Sequence, residues 1–451
     1  MRDRLRYPAS VLTGLLAAFV LVRVGIGLGG RTFVAYDSFS YRVDPLLDRG
    51  SVLSLTGHAP RLWGVPLFYA LFPDDGSRVL AQWAIGTVAW AVLAWVVWTC
   101  LAHPAARVLG AGGVLLLGVL GPVTNWDFAI LSESLSISLG VLVLALVLRW
   151  LTTGSRWALG GLTAVAVLWL FTRPEIRLMV ALLLVVIAGY AVRRRTVAAA
   201  AAGAVLLVAL VWATLITPTV DRTFAGWSAT ELTLSEETLA FRLRLQVLPD
   251  PQIERVYAQE LHMPDCPAAD AVAAGTAWAI VEFADAYRSC PELAAWGREN
   301  ATSSGYRFAF AAPGPYAAFT ARTLPRAFEG TRYAQVPHVG LLDKVVFAPH
   351  EYEGFLLLGG FAVAIAAVGW AGAWRRRRLL VGTAAVLAGG SVASVIGGLM
   401  YSVGEYPRFG IQEAVGVRLA LVLMVVAAVD AALTRRTEAR AAAGTTVDAP
   451  A

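Results

Sequence analysis

Arg193-Arg194-Arg195-Thr196 runs into VAAAAAGAVLLVALVWATLIT, residues 197–217, and the fold turns on this stretch. Its apolar part is 21 residues long without a charge. As a helix rising 1.5 Å per residue it would measure about 30 Å, the thickness of a bilayer's hydrocarbon core. A helix on the surface of a soluble domain would carry a polar face, and this one has none. The arginines at one end have the pattern of a short cytoplasmic loop beside a membrane span. The stretch therefore reads as a transmembrane helix.

Similar apolar runs lie near 9–29, 79–101, 105–121, 134–151, 157–172, 177–192, 354–374, 379–400 and 412–433. With 197–217 they give about ten spans, and the expected fold is an all-α polytopic membrane protein. The fifth and sixth are short and meet at Thr172-Arg173-Pro174-Glu175, so a tilt or break is expected there. The run at 9–29 follows Arg2, Arg4 and Arg6 but is longer than a signal-peptide core, and no clear cleavage site ends it. It reads as a retained first span.

Composition agrees. Of 451 residues, 58% are hydrophobic and 15% charged, with a mean hydropathy of +0.64. Soluble domains hold about 45–50% apolar and about 25% charged residues. A soluble enzyme, a disordered regulator and a nucleic-acid-binding protein are excluded. The net charge of +6 comes almost wholly from arginine, Lys344 being the single lysine. The arginines sit in blocks beside the spans: Arg2/Arg4/Arg6, Arg149/Arg156, Arg193–Arg195, Arg375–Arg378 and Arg435/Arg436/Arg440. In a ten-span arrangement all fall on one side, which places both termini in the cytoplasm of a cell-membrane protein.

The polar segments 30–78, 122–133, 218–353 and 401–411 then share the outer face. Four units follow. Residues 1–217 form an N-terminal transmembrane module with a polar first outer loop, and 218–353 a small, mostly helical extracytoplasmic domain. Residues 354–433 are the C-terminal transmembrane helices, and 434–451 a disordered cytoplasmic tail. Within the outer domain Ala271–Tyr287 has helical spacing, and Pro313-Gly314-Pro315 is expected to break the chain. Cys266 and Cys290, 24 positions apart, form either a disulfide in an oxidising compartment or two free thiols. The bridge is expected.

Four clusters on that face could carry chemistry. Tyr36-Asp37-Ser38-Phe39-Ser40-Tyr41 follows the first span, with Gly57-His58 further along. Aromatic neighbours would desolvate Asp37 and raise its pKa toward that of a useful base. The plainer reading is a loop carboxylate bonded to nearby amides. Asn125-Trp126-Asp127 precedes Ser132-Glu133-Ser134, which opens the fourth span. There Ser132 capping the helix and Glu133 meeting the positive end of the dipole explain much without chemistry. Yet a carboxylate at the head of an apolar helix needs a partner. Arg173 and Arg177, either side of Pro174-Glu175, could hold a phosphate or pair with Glu175. Finally Gly404-Glu405-Tyr406-Pro407-Arg408-Phe409 sets an arginine between aromatics before the last span, suited to a lipid phosphate or to an ordinary interfacial belt. The five histidines show no metal spacing, and no nucleotide-binding loop or serine-nucleophile elbow appears.

In order, these motifs resemble the GT-C superfamily of membrane glycosyltransferases, in its bacterial protein-mannosyltransferase-like branch (glycosyltransferase family 39-like). The resemblance covers spans one to six and the last two, and the outer insert 218–353 matches only in position. It implies a GT-C-like fold and a polyprenyl-phosphate sugar donor. It also implies inverting transfer to a hydroxyl of an envelope glycan, glycolipid or protein, with no nucleic acid involved. By the same resemblance Asp37 is the catalytic base and Glu133 the second catalytic acid. Arg408 and Arg173 bind donor phosphate, with Tyr36, Tyr41, His58, Asp127 and Tyr406 as further substrate-binding candidates. Many members carry two adjacent acids in the first loop, whereas Ser38 follows Asp37 here, which leaves a divalent cation open as cofactor. A lipid flippase or transporter and a non-catalytic GT-C-like scaffold are the alternatives.

Overall fold

Helices made largely of Ala, Leu and Val bury one side against each other and leave apolar side chains outward on the other. Leu28, Val192 and Leu358 are each more than two-thirds exposed, as expected where lipid replaces water. The computed structural model describes residues 7–42, 55–275, 279–330, 336, 340–402 and 404–445. Arg2, Arg4 and Arg6, the stretch 43–54 of the first polar segment and the tail end 446–451 lie outside the described residues.

The main helices are α1 (Tyr7–Gly29), α2 (Asp75–Cys100), α3 (Pro104–Leu117), α4 (Glu133–Thr153), α5 (Arg156–Leu170), α6 (Ile176–Arg194) and α7 (Val197–Ala225). After them come α8 (Leu234–Arg242), α9 (Pro313–Phe328), α10 (Gly340–Val346), α11 (His350–Ala371), α12 (Arg378–Gly398) and α13 (Ile411–Thr445). Among the described residues the only β feature is an isolated bridge between Phe33 and Ala129. The protein is a polytopic helical membrane protein.

Eight of these helices are long and apolar enough to span, against the ten expected. The expected span 105–121 is the 14-residue α3, which turns by 53° into the segment Gly121–Phe128. Pro122 near the start of the next helix cannot donate to the preceding turn, so the ladder ends at Leu117. If this bent pair crosses as one, the number is nine. The expected span 157–172 is α5, with 15 residues. α13 lies at the centre, with 78% of its apolar window buried, whereas α1 and α11 lie outside with 17%. α12 approaches it closely, since a Cβ on Gly416 would stand 2.5 Å from Ser391 Oγ.

Three boundaries differ from the sequence reading. α7 continues through Pro218 to Ala225, so the helix reaches eight residues into the polar segment expected from 218. The run 271–287 is split between the helices Pro267–Ala273 and Ile280–Ser289. Pro313-Gly314-Pro315 does mark a break, the helix Ser304–Ala311 ending just before it, and it then opens α9, because proline's fixed φ suits a first helical turn. The last helix also continues to Thr445, in place of the disordered tail expected from 434. Between α7 and α11 the chain folds into short capped helices, with Thr233 and Asp250 as N-caps. Cys266 and Cys290 are joined in a disulfide, their Cα atoms 6.1 Å apart.

Buried ion pairs lock the bundle. Arg23 of α1, fully buried, meets Asp127 at 2.8 Å and donates to Thr87 Oγ1 at 3.1 Å and to the Gly118 carbonyl at 3.2 Å. Arg418 of α13 bonds the carbonyls of Phe328 and Val346 and pairs with Glu353, tying α9, α10 and α11 to the central helix. At the other end Asp430 pairs with Arg377 and accepts from the amides of Ala102 and His103. Removing one member of such a pair strands the other charge at a cost of about 3–5 kcal/mol. Asp127→Ala is therefore expected to destabilise the folded protein by that order in a detergent melt, while Arg23→Met with Asp127→Leu recovers most of the loss. An unchanged melt for Asp127→Ala would remove the pair from the fold's supports.

Candidate functional site

Local sequence sets the site's frame. Gly30 follows α1 under the ring of Phe128, where a Cβ would be 2.2 Å from a ring carbon. The next residues lie along the stretch that leads into α4. Phe33 N donates to the Phe128 carbonyl at 2.8 Å, and Ile130 N to the Phe33 carbonyl at 3.0 Å. Ser38 Oγ donates to the Ile130 carbonyl at 2.8 Å. Asp37 is thereby held over the head of α4, where Glu133 is the first residue. The turn Tyr406–Phe409, started by Pro407, brings Arg408 to the same place from the start of α13.

All three nitrogens of the Arg408 guanidinium donate to carboxylates. Nη2 bonds Asp37 Oδ2 at 2.6 Å, Nε bonds Glu133 Oε1 at 2.9 Å and Nη1 bonds Glu405 Oε2 at 2.9 Å. Glu133, 1% exposed, is shared with Arg173 Nη1 at 3.2 Å, and Arg173 Nε reaches Glu175 at 3.5 Å. On the far side Arg61 Nη2 stands 3.8 Å from Asp37 Oδ2. The result is an alternating row: Arg61, Asp37, Arg408, Glu133, Arg173, Glu175.

The expected rise in the Asp37 pKa does not occur. Burial pushes its carboxyl up, but the charges of Arg408 and Arg61 and the Arg408 hydrogen bond hold it below its usual value. Burial likewise works against the charge on Arg408 and Arg173, and their carboxylates outweigh it, so both guanidiniums stay firmly protonated. The plainer expectations hold in part, since Glu133 lies in the first turn of α4 and Arg173 pairs with Glu175. Neither Asp37 nor Ser132 makes a side-chain cap bond to the helix that follows it.

The structure thus gathers Asp37, Glu133, Arg173 and Arg408, and Tyr41 borders them. Its ring lies 5.0 Å from the Arg61 guanidinium and its hydroxyl 3.3 Å from Ser132 Oγ. Tyr36 stands half-exposed at the rim against Phe39, and Tyr406 is buried against Phe319. Burial raises the Tyr406 pKa to about 12. His58 is exposed, three residues before Arg61. Asp127 does not join the row; it takes Arg23 and Ser134 as partners. Arg177 bonds Thr217 of α7 rather than Glu175. Sequence reasoning missed Arg61, three residues past His58, and Arg23, a lone charge inside an apolar run.

Below the row lies a narrow, mostly apolar cavity of about 40 Å³. Leu144, Trp169, Met179 and Leu419 line it, with Ser391, Gln412 and Glu413 as its polar members. α4 connects the two. Ile137, Gly140, Val141 and Leu144 line the cavity, from about 6 to about 16 Å along the helix axis below Glu133. Ser136 Oγ, one turn below Glu133, bonds Gln412 and accepts from Thr172 beside Arg173. Among the described residues no group of three or more His, Cys, Asp or Glu could hold a metal ion. Set against family models, curated proteins and solved structures, the chain finds no match in any of the three.

The lowered Asp37 pKa fixes a pH dependence. A folded value below the unfolded one contributes stability in full above the ordinary carboxylate pKa and loses it as pH falls through the folded value. Wild type is expected to melt above Asp37→Asn near neutrality, with the gap closing below about pH 4. A gap that widens on acidification would contradict the pairing.

Proposed function

We propose that the chain is an integral membrane glycosyltransferase that moves a sugar from a polyprenyl-phosphate carrier to an acceptor hydroxyl. The observation that carries this reading is the row of arginines and carboxylates at the head of a bundle of apolar helices. A lipid-linked phosphate fits this setting, its head at Arg408 and Arg173 and its tail in the surrounding lipid. The ordered motifs that resemble the GT-C superfamily support the same reaction class.

Each residue then has a role. Asp37, with more than a quarter of its side chain open to solvent, takes the proton from the acceptor hydroxyl. The acceptor oxygen forms the bond to the anomeric carbon while the bond to the phosphate oxygen breaks, and its electron pair leaves on the phosphate. Arg408 and Arg173 stabilise that charge. One displacement inverts the anomeric centre. Glu133, sealed between the two arginines, is a positioning residue that fixes their spacing. A cell-envelope glycan, glycolipid or protein supplies the hydroxyl.

The reaction face follows from the arginine blocks. α4, α5, α6 and α13 each carry or adjoin a residue of the row or its Arg177 neighbour at one end. Each has Arg149, Arg156, Arg193–Arg194 or Arg435–Arg436 at or near the other. With the arginine ends in the cytoplasm, the row faces the outside of the cell membrane and both termini lie inside. The Cys266–Cys290 disulfide suits an extracytoplasmic segment 218–353.

In proteoliposomes supplied with a panel of polyprenyl-phosphate sugars and crude envelope acceptor, wild type is expected to release free polyprenyl phosphate. Asp37→Asn should lower release about 10²- to 10⁴-fold without loss of folding. Arg408→Ala should weaken polyprenyl-phosphate binding about 10- to 100-fold. Full activity in Asp37→Asn would end its role as base, and no release from any donor would end the transferase reading. For topology, a cysteine placed at Gly275 should react with an impermeant maleimide in intact cells; reaction only after lysis would invert the arrangement.

A further inference from the structure

The row leaves a problem for any anionic ligand. Three arginines (Arg61, Arg173, Arg408) already face four carboxylates (Asp37, Glu133, Glu175, Glu405), and every nitrogen of Arg408 is taken. A phosphate cannot simply add to this set, because it would bring more negative charge to a group that is already net negative. It must replace a carboxylate on Arg408.

The geometry selects which one. Glu133 is 1% exposed, held from two sides, and has no path to water. Glu405 lies three residues from Arg408 on the same short turn and is 17% exposed. Asp37 is the most open of the three, at 27%, and a second guanidinium waits beside it. Arg61 stands 3.8 Å from the same Oδ2 atom that Arg408 holds. Arg61 is itself anchored for this. Its Nε donates to Ser40 Oγ at 2.8 Å, and its guanidinium lies between the rings of Tyr41 and Phe224, 5.0 and 5.1 Å away.

We infer that a lipid phosphate binds by exchange: it takes the Arg408 Nη2 position from Asp37, and Arg61 is the positioning residue that receives the displaced carboxylate. This rests on the donor-site reading above and deepens it. Without donor, Asp37 is bound to Arg408 and is a poor proton acceptor. With phosphate on Arg408, the carboxylate loses its strongest cation, gains an anion beside it, and keeps only the more distant Arg61. It then becomes a better base at the moment a sugar is present to receive the acceptor oxygen. Water reaching the empty site meets no activated carboxylate.

Carbodiimide labelling of Asp37 tests this without turnover, since the reagent attacks protonated carboxyls. The full chain in proteoliposomes would be treated with dicyclohexylcarbodiimide, with and without long-chain polyprenyl monophosphate, and the Asp37 peptide quantified by mass spectrometry. At about pH 6 each unit of upward pKa shift multiplies the reactive fraction about tenfold, so the lipid should raise labelling several-fold. Arg61→Gln should raise the lipid-free labelling modestly and the lipid-bound labelling by a clearly larger factor, with Arg61→Lys restoring the wild-type pattern. Equal change in both states would make Arg61 merely structural and overturn its part. Retention of the radiolabelled lipid is measured alongside. Binding that needs Arg408 with no change at Asp37 overturns the exchange and leaves the donor site standing. Lipid retention that is absent, or indifferent to Arg408→Ala, ends the donor-site reading and the exchange with it.

Discussion

A carboxylate sealed from water at the head of an apolar helix can stay charged only if cations are brought to it, and Glu133 is such a group. Arg173 arrives from the break between α5 and α6, and Arg408 from the turn before α13. Helices far apart in sequence therefore converge on one oxygen atom, because leaving Glu133 unpaired would cost several kcal/mol. The rest of the site follows. Arg408, once fixed by Glu133, has nitrogens left over for Asp37 and Glu405.

Much of this architecture is legible in the sequence, for an identifiable reason. An uncharged 21-residue run such as 197–217 has few alternatives to a spanning helix, so the long helices are found nearly where expected. The runs near 105–121 and 157–172 are close to the minimum length, and there small local effects decide. Proline was the least readable residue. Pro218 is accommodated inside α7, Pro313 starts a helix, and Pro122 begins the segment beyond a bend. The sequence shows each proline's missing donor but not whether a neighbouring turn needs it.

Single members of the charge row were legible because ionisable groups beside apolar runs are costly and rarely idle. Their pairing was not. Arg408 meets Asp37 across 371 positions and Glu133 across 275, distances at which spacing carries no signal. That gap explains the inverted expectation for Asp37. Its aromatic neighbours Tyr36 and Tyr41 are visible in the local sequence and argue for a raised pKa, while the guanidiniums that reverse it come from positions 61 and 408. Asp127 illustrates the same blindness, since its partner Arg23 lies in a helix that otherwise looks made only for lipid.

The shortness of α5 has a consequence for the surrounding bilayer. Its 15 residues measure about 22 Å, well under a hydrocarbon core of about 30 Å, and Arg173 follows within three residues of its end. Where α5 crosses the bilayer, lipids packed against it would have to compress their chains or dip their head groups to meet it. The leaflet beside the cavity would then be locally thinned, a shallow dimple in an otherwise level surface. In such a dimple the head groups would sit nearer the level of the arginines than they do in the surrounding surface.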